Sequence, residues 1–140
     1  MYLVDTNVWL KRLLGQDNSD EVGQFLDQVS SDQLFITDFT FHSICVILTR
    51  LKRNSVLLDF VTDVFVIGSV TLVSIKPEET QGLVDTIDKY KLDFDDAYQY
   101  VAAEQNDLMI ISFDSDFDNT VKGRKAPAEI LLAIKSLGDD

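Results

Sequence analysis

Apolar runs that stop abruptly at polar residues restrict this chain more than any other feature. Tyr2-Leu3-Val4 halts at Asp5, Leu34-Phe35-Ile36 stops just before Asp38, and Leu108 to Ile111 runs into Ser112-Phe113-Asp114. A further run, Val70 to Ile75, precedes Pro77. Runs without polar alternation read as strands buried on both faces. Between them lie stretches of helical period. Phe41, Ile44, Cys45, Leu48 and Leu51 recur at i, i+3, i+4, i+7 and i+10 behind Asp38, which reads as the cap of that helix. Val22, Phe25, Leu26 and Val29 follow Ser19 or Asp20, either of which can cap a helix. Further helices are expected over Val8–Leu14, Val56–Val66, Pro77–Tyr90, from Asp93 to about Asn106, and from Pro127 to about Leu137. Short strands alternating with helices predict an α/β fold. Its expected form is a three-layer α/β/α sandwich around a parallel sheet of four or five strands.

The length of 140 residues fits one domain, 1–140, and 46% hydrophobic content is enough for a proper core. Charge narrows the partners. With 24 acids against 12 bases the formal net charge is −12, so the chain as a whole repels nucleic acid and anionic membranes. Contact with nucleic acid would need a local basic patch, a bound cation or a basic partner. Cys45 is the single cysteine and falls inside an apolar helical stripe, which excludes an intrachain disulfide or a cysteine-based zinc cluster. No basic stretch followed by a long apolar run opens the chain, and no segment reads as a membrane span; the cytoplasm is the default expectation.

Three acidic positions fall where such a fold gathers ligands. Asp5 and Asp114 follow strands, and ligands of open parallel sheets bind beyond the strands' carboxyl ends. Asp95 and Asp96 lie in the first turn of a helix that Asp93 can cap. Each acid alone has a plainer role. Asp5 can cap the next helix, Asp95 and Asp96 complement a helix dipole, and Asp114, Asp116 and Asp118 suit a solvated turn. Together they are harder to explain, because like charges at about 4 Å repel by about 4 kcal/mol at an effective dielectric near 20. Such a cluster takes up a proton or a cation. Oxygen donors without Cys or His select hard ions, Mg²⁺ or Mn²⁺, and those ions suit phosphodiester hydrolysis.

The order Val-Asp-Thr-Asn at 4–7, Leu-Asp-Phe-Asp-Asp-Ala-Tyr at 92–98 and Ile-Ile-Ser-Phe-Asp-Ser-Asp-Phe at 110–117 resembles the PIN domain. The likeness is greatest to the single-domain prokaryotic members that include VapC-type toxins. It covers essentially the whole chain. It implies a metal-dependent endoribonuclease acting on RNA, often restrained by a small antitoxin and commonly a homodimer. By the same resemblance Asp5, Asp96 and Asp114 match the catalytic, metal-binding acids, with Asp116 beside them. Asn7, Ser112 and Asp118 match auxiliary positions.

One position departs from the pattern. The family usually places a Glu early in the helix that here begins at Asp38, and the matching segment reads Thr40-Phe41-His42-Ser43-Ile44. Ser43 or His42 stands where that acid would be, and Ser43 keeps the helix register. A catalytically weak protein acting as a protein-binding module is therefore the alternative reading. Lys11, Arg12, Arg50, Lys52 and Arg53 are the candidates for guiding an RNA backbone past the acidic surface. An aspartyl phospho-acceptor fits worse, since Val4 and Asn7 rather than acids surround Asp5. Trp9 and Phe60 are expected to be left over for self-association.

Overall fold

The computed structural model describes residues 1–138; Asp139 and Asp140, the end of the expected 1–140 domain, lie outside the described residues. Its centre is a parallel sheet of four strands, β1 (Tyr2–Val4), β2 (Leu34–Thr37), β3 (Thr71–Val73) and β4 (Met109–Ile111), in the order β3-β2-β1-β4. Leu3 pairs with Phe35 on one side and Ile110 on the other. These three side chains face the same layer, because residues alternate faces along a strand. Tyr2, Val4, Leu34, Ile36 and Ile111 face the opposite layer. Both layers are helical, so the two central strands read as continuous apolar runs.

Helices α1 (Thr6–Leu13), α2 (Ser19–Gln28), α3 (Asp38–Arg50), α4 (Asn54–Val61) and α7 (Pro127–Gly138) form one layer, packed on Val4, Ile36 and Ile111. The other layer is α5 (Thr80–Tyr90) and α6 (Phe94–Gln105), whose Ala97, Tyr100 and Ala103 pack on Leu3 and Ile110. The chain is thus an α/β/α sandwich. Single side chains lock the helix starts. Thr37 Oγ1 accepts from Thr40 N at 3.0 Å and Asp93 Oδ1 from Asp96 N at 2.9 Å.

Four expectations need correction. The cap of α3 is Thr37, and Asp38 is its first helical residue, accepting from Phe39 N and the Tyr98 hydroxyl. The helix expected over 56–66 is α4 followed by a π-helical segment, Thr62–Ile67, closed by Gly68. A Cβ on Gly68 would lie 2.7 Å from the Asp63 carbonyl oxygen, which is why this wide turn ends at glycine. Strand β3 covers only Thr71–Val73, and Leu72 is 50% exposed, because an edge strand is paired on one side alone. Finally, Trp9 and Phe60 are core residues at 2% and 4% exposure, stacked edge to face at 5.4 Å. They are not left over for association.

Candidate metal centre

The sheet order decides where a site can form. β2 lies to one side of β1 and β4 to the other, so the chain reverses its direction of travel at the β1–β4 boundary. Open α/β sheets bind ligands at such a switch point, beyond the strand ends. Asp5 leaves β1 there and Ser112 leaves β4. A single parallel bridge, Ile111 to Lys125, with Ser112 N donating to the Lys125 carbonyl at 3.0 Å, pins the loop that carries Asp114 and Asp116.

Asp5 is almost completely enclosed, at 6% exposure, and both its oxygens are engaged. Oδ1 accepts from Thr6 N and from Gln99 Nε2, each at 2.8 Å. Oδ2 accepts from Ser112 Oγ at 2.7 Å and, more loosely, from Asn7 Nδ2 at 3.4 Å. Burial raises the pKa of Asp5; the bonds from Gln99, Ser112 and Thr6 oppose that rise, and the Asp114 charge adds to it. Asp5, expected among the metal ligands, thus caps α1 and stands beside the other acids without belonging to the group whose oxygens gather within 4.8 Å. Ser112 Oγ also accepts from Asp114 N at 2.9 Å, which ties the two acids' loops together.

Asp96 is as buried as Asp5, at 7% exposure, but its Oδ2 has no hydrogen-bond partner. Among the described residues, Asp96, Asp114 and Asp116 each present an oxygen within 4.8 Å of the other two. Burial first, then the Asp114 carboxylate beside it, and then Asp93 and Asp5, push the Asp96 pKa up to about 8. A buried acid with an orphaned oxygen, grouped with two further acids, is what a divalent cation would satisfy. The donor set, all oxygen, fits a hard ion.

The structure separates the remaining site expectations. Asn7 and Ser112 join the acids directly, through the bonds above. Asp118 is held instead by Arg124, whose Nε and Nη2 reach its two oxygens at 3.1 and 3.3 Å while Nη1 donates to the Ser112 carbonyl. Ser43 is half-buried and lies three residues beyond Thr40, on the same helix face as that buried hydroxyl. His42 is exposed and turned away from it. Asp38 is spent on Tyr98 and its own helix start.

Of the five basic residues expected to guide RNA, Lys11 is the one found beside the acid loop, its Nζ 5.2 Å from the centre of the Phe113 ring. Arg12 lies flat on Gly23 of α2, where a Cβ would come within 2.8 Å of its Cζ, and donates to Ser19. It therefore joins α1 to α2. Arg50 ends, and Lys52 and Arg53 follow, a helix that starts at the acids' edge of the sheet. Thirteen residues carry that helix roughly 20 Å away, so these three do not reach the site.

Two residues escaped the sequence reading. Gln99 is 2% exposed and bridges Asp5 to α3. An amide amid Ala97, Tyr98, Tyr100, Val101 and Ala102, one turn after Asp96, was the signal available for it. Arg124 had no such signal, because only the folded loop brings it to Asp118.

The same architecture recurs in solved structures. The chain superposes on a toxin–antitoxin complex from Klebsiella pneumoniae with TM-score 0.74 at 20% identity, covering 91% of this chain and 98% of that one. FitAcB from Neisseria gonorrhoeae gives 0.71 at 19%, covering 91% and 99%. VapC20 of Mycobacterium tuberculosis, a sarcin–ricin-loop-cleaving toxin, gives 0.69 at 13%, covering 84% and 93%. Comparison with curated proteins gives no match. The family model for the PIN domain matches residues 2–123, and the chain belongs to the PIN domain family.

Proposed function

We propose that this chain, as a single domain over residues 1–140, is a divalent-metal-dependent endoribonuclease of toxin type. The observation that carries the reading is the buried Asp96, one oxygen of which has no hydrogen-bond partner, gathered with Asp114 and Asp116 within 4.8 Å at the switch point of the sheet. Asp96, Asp114 and Asp116 would hold Mg²⁺ or Mn²⁺, with Asp5 behind them. When bound, such an ion neutralises phosphate charge and lowers the pKa of water. The protein's own groups do the rest. Ser112 and Asn7 hold Asp5, Ser112 also fixes the Asp114 backbone, and Lys11 offers the nearby cation for an approaching RNA backbone. VapC20, similar in fold, is a sarcin–ricin-loop-cleaving toxin, which supports RNA as the substrate class.

A small basic antitoxin is the proposed partner. Toxin–antitoxin complexes stand among the similar structures, and a net charge of −12 favours a basic segment. A cleft of about 500 Å³ lined by Leu13, Leu26, Val56, Val64, Asp59 and Asp63 offers that segment apolar and acidic contacts. Homodimerisation is proposed separately, on the exposed Leu58, Val66 and Ile67. No helix among the described residues is long and apolar enough to cross a membrane, and a cytoplasmic setting goes with the toxin reading.

The test is structured RNA incubated with purified protein and Mn²⁺ or Mg²⁺, against Asp96→Asn and Asp114→Asn. Metal-dependent cleavage lost in both variants supports the reading. Cleavage unaffected by either variant overturns it. The absence of an acid at Ser43 and His42 favours the second reading, a binding module, for which no RNA is cut while a basic peptide still binds.

A further inference from the structure

We propose that Gln99 is a positioning residue for the cation site, acting through Asp5 in place of an acid from α3. The inference rests on the metal-centre reading above. Gln99 Nε2 spends its two hydrogens on Asp5 Oδ1 and Thr40 Oγ1, both at 2.8 Å. Its Oε1 accepts from Thr37 Oγ1 at 2.7 Å. Every polar group of the amide is used, and the bonds fix its orientation. Turned over, it would set an oxygen against the Asp5 carboxylate and leave two donors facing the Thr37 side.

The network joins all the elements that meet at the site. Thr37 and Thr40 belong to the end of β2 and the start of α3, and both are fully buried. Thr40 Oγ1 is also 2.8 Å from Thr6 Oγ1, at the start of α1. Gln99 and Asp96 are three residues apart on α6, so one helix face delivers an acid to the cation and an amide to Asp5 in successive turns. Gln99 and Thr6 N hold Oδ1. Oδ2 in turn accepts from Ser112 Oγ, and that hydroxyl accepts from Asp114 N, so the orientation of Asp5 is passed to the loop that carries Asp114. Helix α3 brings hydroxyls to this network and no charge.

The experiment is a double-mutant cycle read by Mn²⁺ calorimetry, with metal-free thermal unfolding recorded alongside. Gln99→Met keeps the side chain's length and removes the amide. Loss of an outer hydrogen-bond partner typically weakens a metal about 10- to 100-fold, and that is the expected loss. In an Asp5→Asn background the same change should have less than about a two-fold effect, because the residue it acts through is gone. A purely structural role would lower the melting temperature in both backgrounds and leave Mn²⁺ affinity of the folded protein unchanged; that result overturns the proposal. Thr37→Val, which removes the donor to the amide oxygen together with the cap of α3 and does not touch Asp5, serves if Gln99→Met does not fold, with the metal-free unfolding reporting the lost cap. A several-fold loss of affinity supports the proposal, and an unchanged affinity overturns it. Wild-type protein that binds no Mn²⁺ overturns the metal-centre reading and the positioning role together, whereas wild-type binding that survives Gln99→Met overturns the positioning role alone.

Discussion

Asp5 and Asp96 are buried to nearly the same degree and live in opposite circumstances. Asp5 accepts four hydrogen bonds from four residues. Asp96 has an oxygen with none, and faces Asp114 and Asp116. Burial therefore does not set a carboxylate's role; the partners inside do. A saturated acid is part of the frame. A buried acid left beside like charges is strained without a proton or a cation, and the second of these can do chemistry.

The largest test of that contrast removes the unsatisfied side. With free Mn²⁺ a hundred-fold above its dissociation constant, binding should stabilise the native protein by about 2.7 kcal/mol, a melting-temperature rise on the order of 10 °C. Asp96→Asn and Asp114→Asn should abolish that rise and leave metal-free stability no lower. A full metal shift in both variants would place the ion elsewhere.

Asp5→Asn should behave in the opposite way. It sets an NH₂ against groups that themselves donate, so metal-free protein should lose about 1–3 kcal/mol in urea unfolding. If stability is unchanged, Asp5 is not the frame residue described here.

A smaller effect appears in pH. Without metal, native Asp96 keeps its proton up to about 8, against 3.8 for an ordinary Asp in the unfolded chain. Between those values the native state binds more protons than the unfolded one, so this group's contribution to stability falls as pH rises through the window. A cation must displace that proton. Mn²⁺ affinity should rise from pH 5.5 toward about 8 and then flatten, with about one proton released, measured by calorimetry in buffers of different ionisation enthalpy. A pH-independent affinity would refute the protonated state.

Restoring an acid on α3 should sharpen the contrast further. Ser43→Glu lies on the Thr40 face and should tighten Mn²⁺ several-fold, while His42→Glu, pointing to solvent, should change it by less than about two-fold. Equal effects from both would show that helix face does not matter there. The smallest difference concerns RNA. Lys11→Ala should weaken binding and reduce its salt dependence by about one contact, and Arg50, Lys52 and Arg53 changed to Ala together should do neither. A gel-shift salt titration separates the two outcomes.

Much of this was legible in the residues. Apolar runs without alternation gave doubly covered strands, and the acids that end them fell at the strand ends because the chain direction puts them there. The motifs around Asp5, Asp96 and Asp114 carried the family resemblance. The misreadings share one cause: exposure and partnership depend on packing between distant segments. Trp9 and Phe60 looked like excess apolar surface until α1 and α4 met, and nothing in the sequence showed that Arg124 would pair with the auxiliary Asp118. The basic cluster at 50–53 looked available because sequence gives no distance from the site.

Sequence by itself determined the parallel α/β frame and which acids stand at its binding edge, since periodicity and strand ends are local properties. Only the tertiary structure decided how those acids divide. Gln99, Thr37 and Thr40 come from segments up to 62 residues apart, and their hydrogen bonds, made in a place water cannot reach, leave Asp5 satisfied and Asp96 open.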